Sequence, residues 1–145
     1  MEMRDQERDP RPTAEPPATP TVLIVEDEVL LRLLVADELR LQNYTVIEAA
    51  NADDALGILR SGVRVNLIIS DIRMPGRIDG CGLVSAVKSL WPEVKLVIAS
   101  AHADRVQQGT ADAVFSKPYE IEDLLLTVNE LAPASPSEET RHEGL

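Results

Sequence analysis

The chain has 145 residues, a formal net charge of −11 and a single cysteine. That length holds one domain with a full core. The acidic balance excludes a nucleic-acid surface, which needs clustered Lys and Arg, and no apolar run reaches the length of a membrane span.

Residues 1–20 and 132–145 carry seven of the ten prolines and no apolar periodicity, so they read as disordered tails flanking a domain over 21–131. The first tail lacks the apolar core of a signal peptide, and a cytoplasmic location is expected. Cys81 permits no internal disulfide, fits a reducing compartment and reads as a small buried hydrophobe.

Val22-Leu23-Ile24-Val25 predicts a strand whose unbroken hydrophobicity suits a sheet covered on both faces. A helix follows over Val29–Gln42, with Leu31, Leu34, Val35 and Leu39 on one face. Thr45–Glu48 is a second strand. Asn51 then caps a second helix whose first turn holds Asp54, whose core face is Ala52, Ala55, Leu56 and Leu59, and which ends at Ser61-Gly62.

Val65–Ser70 is a third strand running straight into Asp71, and Met74-Pro75-Gly76 stops regular structure beyond it. A third helix over Gly82–Leu90 turns Leu83, Val87 and Leu90 inward, and Trp91-Pro92 closes it with Trp91 as a packing residue. Lys95–Ser100 is the fourth strand. Asp104–Gln108 gives a short fourth helix, Ala113–Phe115 a fifth strand, and Ile121, Leu124, Leu125 and Val128 the stripe of a last helix. Five strands alternating with five helical segments predict an α/β fold, a doubly wound five-stranded parallel sheet with right-handed crossovers.

In such a sheet, ligands bind beyond the carboxyl ends of the strands. Those ends carry Glu26-Asp27-Glu28, Asp71, Ser100-Ala101 and Ser116-Lys117-Pro118. Each has an ordinary counterpart: acids cap helices, Asp and Ser begin turns, and Lys-Pro decorates surfaces. Independent ordinary causes have no reason to coincide at one edge. Asp27 and Asp71 side by side would repel, so Lys117 and a divalent ion held by oxygens are expected, and Mg²⁺ suits two carboxylates with retained waters. Lysine, serine hydroxyl and metal could together neutralise a transferring phosphoryl group, with Asp71 as nucleophile forming an acyl phosphate.

Val22 to Asp27, Asp71 with Met74-Pro75, Ser100-Ala101 and Lys117-Pro118 together resemble the response-regulator receiver domain of two-component signalling. The resemblance covers about Thr21 to Leu131 and implies a flavodoxin-like strand order, 2-1-3-4-5. It implies a phosphoryl group accepted on Asp71 from a histidine kinase or histidine phosphotransfer protein. Asp27 would ligate Mg²⁺ directly, Glu26 through water, and Asp71 and the main-chain carbonyl of Arg73 would complete the site. Lys117 would pair with the phosphoryl group, with a cis bond to Pro118, and Ser100 would be the moving switch hydroxyl.

The sequence departs from the family pattern in places. Met74-Pro75-Gly76-Arg77-Ile78-Asp79-Gly80 is one residue longer than the usual Met-Pro-x-x-Asp-Gly, which predicts a remodelled loop. Val114 occupies the aromatic switch position, with Phe115 facing the other way. Arg73, Ala101 and His102 lie where the family modulates the phosphoryl group.

The sequence as a whole predicts a stand-alone phosphoacceptor switch, not an enzyme with turnover. It would bind a downstream protein through the fourth helix, fifth strand and last helix, without nucleic acid or membrane, as a monomer or weak phosphorylation-dependent dimer. A phosphate sink and a phosphorylation-independent interaction module are the alternatives. An aspartyl phosphohydrolase would need an acid two residues after Asp71, where Arg73 stands.

Overall fold

The computed structural model describes residues 19–134 apart from 74, 75, 77 and 78. Most of both predicted tails, and most of the long loop after Asp71, lie outside the described residues. Within them the chain runs β1 (Thr21–Val25), α1 (Val29–Leu41), β2 (Thr45–Ala49), α2 (Ala52–Arg60), β3 (Leu67–Ser70), α3 (Gly80–Leu90), β4 (Lys95–Ser100), a 3₁₀ turn (Ala103–Arg105), β5 (Ala113–Ser116) and α4 (Ile121–Leu131).

All five strands are parallel, in the order 2-1-3-4-5. Alternation along each strand sorts the core into two layers. Leu23, Val25, Ile68, Leu96 and Ile98 face α2 and α3, while Val22, Ile24, Leu67, Ile69 and Val97 face α1 and α4. Ala52, Ala55, Leu56 and Leu59 are all buried, and the Asn51 side chain accepts from the Asp54 amide at 2.7 Å, as the capping pattern predicts.

Four expectations fail, each for a local reason. Leu34 is 49% exposed because the buried stripe of α1 runs through Val35, Ala36 and Leu39, and small Ala36 places its centre on the flank away from Leu34. Leu90 is 57% exposed at the last helical position, where Trp91 packs on the core in its place. Cys81 is exposed, since it lies across α3 from Leu83 and Val87. Between β4 and β5 a 3₁₀ turn replaces the fourth helix, because Val106 is the only sizeable apolar residue over 104–110 to hold a helix down. Lys88 of α3 ties that segment, its Nζ donating to the Thr110 carbonyl at 2.9 Å.

α3 also begins two residues early, at Gly80. The Asp79 side chain caps it, accepting from the Gly82 amide at 3.0 Å.

Candidate functional site

The strand register sets the site before any side chain is considered. Val25 pairs with Ser70, so the next residues, Glu26 and Asp71, emerge side by side. Ser70 pairs with Ile98, so β4 runs two residues further and brings Ser100 past Asp71. Ser100 in turn pairs with Ser116, which delivers Lys117 to the same edge.

The side chains close on one another there. Lys117 Nζ lies 2.9 Å from Asp71 Oδ2 and 2.8 Å from Glu26 Oε1. The other Asp71 oxygen accepts from the amides of Ile72 at 2.6 Å and Arg73 at 3.1 Å. The Glu28 amide donates to Glu26 Oε2 at 3.1 Å. Ser100 is fully buried; its hydroxyl oxygen accepts from the His102 amide at 3.0 Å, and its carbonyl accepts from the Lys117 amide. The bond between Lys117 and Pro118 is cis, as the resemblance implies.

Burial and pairing pull the two acids apart. For Glu26, only 6% exposed, loss of water outweighs the lysine and its carboxyl sits above the usual range. Burial also pushes Asp71 up, but Lys117, the Ser100 hydroxyl and the Arg73 amide together overcome it, and its carboxyl falls below the usual range. Burial depresses Lys117, and the two carboxylates more than restore it, so the ammonium is held charged.

Glu26 continues the inward direction of β1 and shares the lysine with Asp71, while Asp27, the next residue, is exposed. Arg73 and Ala101 are exposed, His102 is half-buried, and Val114 is 44% exposed on β5. Phe115 points into the core and meets Tyr119 edge-on, with ring centroids 6.0 Å apart.

Three residues escaped the sequence reading. Ser70 donates its hydroxyl to the Asp71 carbonyl at 2.7 Å; one polar residue closing an apolar strand was its signal. Tyr119, just past Lys117-Pro118, lines a cavity with Glu26 and Asp71, and burial followed by the Glu26 charge pushes its phenol up to about 12. Arg32 of α1 reaches the Glu26 carbonyl at 2.7 Å, and a lone cation one turn into an apolar helix was the clue.

No group of three His, Cys, Asp or Glu side chains among the described residues is already gathered to hold a metal. The donors nevertheless fit a hard divalent ion: Glu26, Asp27 and Asp71 offer only oxygens, and the Lys117 ammonium that Glu26 and Asp71 share offsets one of their two negative charges. Among the described residues no helix is long and apolar enough to cross a membrane.

A family model described as the response regulator receiver domain matches residues 22–129. The sensor kinase CckA of Brucella abortus is 35% identical over 117 residues, covering 77% of this chain and 12% of that protein. Sporulation initiation phosphotransferase F of Bacillus subtilis is 27% identical over 117 residues, covering 77% and 93%. The crystal structure of response regulator TrrA from Thermotoga maritima, in complex with Mg²⁺-BeF, has a TM-score of 0.70 at 27% identity, covering 77% of this chain and 98% of that one. The chain spans between 12% and 24% of the length of the first four curated relatives it matches.

Proposed function

Because the chain belongs to the response regulator receiver domain family of two-component signalling, we propose that it is a phosphoacceptor switch. It takes a phosphoryl group on Asp71 from a histidine kinase or histidine phosphotransfer protein and signals to a downstream protein by surface contact. The observation that carries this reading is the Lys117 ammonium bridging Asp71 and Glu26 at 2.9 and 2.8 Å. A depressed aspartate stays ionised as a nucleophile, and the paired Lys117 cation waits where phosphoryl charge arrives.

In the transfer, an Asp71 carboxylate oxygen forms a bond to phosphorus as the phosphorus–nitrogen bond of the donor phosphohistidine breaks. The electron pair returns to the imidazole ring, leaving an acyl phosphate. Both Asp71 oxygens are engaged in the resting protein, so one contact must yield for attack. The two amides at Oδ1 are fixed by the loop backbone, whereas Lys117 sits on a flexible stem and can follow the incoming phosphoryl oxygen. Ser100, buried beside the acid, supplies a hydroxyl for another of those oxygens. Mg²⁺, held through Asp27, Asp71, Glu26 and the Arg73 carbonyl, would supply the remaining neutralisation of charge. The Mg²⁺-BeF complex of the TrrA relative supports this metal.

The test is incubation with Mg²⁺ and acetyl phosphate or beryllofluoride, read by intact mass and amide shifts. One phosphoryl adduct is expected on the wild type, none on Asp71→Ala, and a large loss of yield on Lys117→Ala. An adduct that survives Asp71→Ala overturns the assignment.

A further inference from the structure

The acid loop after β1 is tied down in three places. The Glu26 amide donates to the Ala49 carbonyl at 3.0 Å, the Glu28 amide turns back to Glu26 Oε2, and the Glu26 carbonyl accepts from Arg32 Nη1 at 2.7 Å. Among the described residues, the last is the side-chain grip on the peptide that joins Glu26 to Asp27. If that peptide rotates, Asp27 swings.

Arg32 is itself oriented. Its Nε lies 3.2 Å from Glu48 Oε1 of β2, and the second Glu48 oxygen accepts from Arg40 Nη2, also at 3.2 Å. The Arg32 and Glu48 side chains are only 16% and 24% exposed, so the pair is weakly screened by solvent. Arg32 also lines the cavity of about 10 Å³ beside Glu26 and Asp71, which has room for about one water. A planar fork fixed on one side by a carboxylate presents its remaining N–H in a set direction. Glu48 has a second effect: it offsets an arginine charge that would otherwise repel a cation at the same loop.

We propose that Arg32, aimed by Glu48, is a positioning residue for the acid loop: by holding the Glu26 carbonyl it sets the approach of Asp27 to a divalent cation. This rests on the receiver reading, because it presumes that the loop binds Mg²⁺.

Mg²⁺ is titrated into the full chain with no phosphodonor, following the shifts of Glu26, Asp27 and Asp71, for wild type, Arg32→Gln, Arg32→Lys and Glu48→Gln. Outer-sphere partners commonly tune metal affinity by about 10–100-fold. The expected midpoint rises about tenfold for both Arg32 variants, since lysine keeps the charge but loses the fork, and by a smaller factor for Glu48→Gln. Beryllofluoride adduct yield at saturating Mg²⁺ should recover in all three, which a general loss of folding would not permit. If Arg32→Gln fails to fold, Arg32→Lys, which keeps the charge and loses only the fork, decides the matter. Wild-type midpoints in the folded variants overturn the positioning role while leaving the receiver reading intact. A wild-type chain that binds no Mg²⁺ overturns both.

Discussion

Gly80 offers the sharpest check on how Asp71 is held. It opens α3 and packs directly on the acceptor loop, its amide donating to the Ile72 carbonyl at 3.2 Å. A Cβ added there would land on the Asp71 carbonyl oxygen, 2.5 Å from the Ile72 Cα and 2.8 Å from the Asp71 carbonyl carbon. All three neighbours are backbone, so no rotamer change can make room. Gly80→Ala must therefore push α3 away from the end of β3. Overpacking costs about 1–3 kcal/mol and a weakened amide bond about 1 kcal/mol more, giving a loss of about 2–4 kcal/mol. Gly57 supplies the control: it is exposed within α2, an added Cβ meets nothing within 4 Å, and alanine there should stabilise by about 1 kcal/mol through helix propensity. Urea unfolding, with a slope of about 1–3 kcal/mol/M, should place the Gly80→Ala midpoint about 1–2 M below wild type and the Gly57→Ala midpoint above it. Displacing Asp71 by about 1 Å should also cut the rate of acetyl phosphate uptake about 100-fold. A Gly80→Ala protein with the wild-type midpoint and uptake would refute the claim that this contact fixes the acceptor.

Carboxyl carbon-13 titration should show Glu26 taking a proton above its ordinary 4.5 and Asp71 holding out below its ordinary 3.8. The signs for stability follow from linkage. The Asp71 contribution is present above 3.8 and lost as pH falls, the Glu26 charge opposes folding above 4.5, and the Lys117 contribution disappears as pH rises through its elevated value above 10.5. The reverse order of the two carboxyls would contradict the account in which burial dominates at Glu26 while Lys117, the Ser100 hydroxyl and the Arg73 amide dominate at Asp71. Tyr44→Phe removes a buried hydroxyl that donates to the Ala132 carbonyl at 2.7 Å, and should cost about 1–2 kcal/mol in urea melts. Leu39→Ala should cost about 2–5 kcal/mol, against less than about 0.5 kcal/mol for exposed Leu34→Ala; equal losses would move the core face of α1.

What could be read from the sequence is what repeats or what is punctuated. Unbroken apolar runs marked the three central strands, β1, β3 and β4, because burial on both sheet faces leaves almost no polar position there, while the edge strands β2 and β5 carried a shorter, mixed pattern. Sheet-edge logic brought Glu26, Asp71, Ser100 and Lys117 to one place, since the parallel register allows nothing else. Periodicity failed where small residues take a core position, as Ala36 does against Leu34, and where a neighbour beyond the helix does the packing, as Trp91 does for Leu90. Which of two adjacent acids turns inward was not legible either. Glu26 extends β1 by one residue, so its side chain follows the strand alternation into the pocket, and its extra methylene reaches the lysine. Asp27 has left the strand and faces solvent. The grip of Arg32 on that turn is a contact between α1 and the loop before it, fixed by a glutamate on β2. No spacing rule announces a contact whose three members lie on three elements; it follows only once the sheet has set the distance between them.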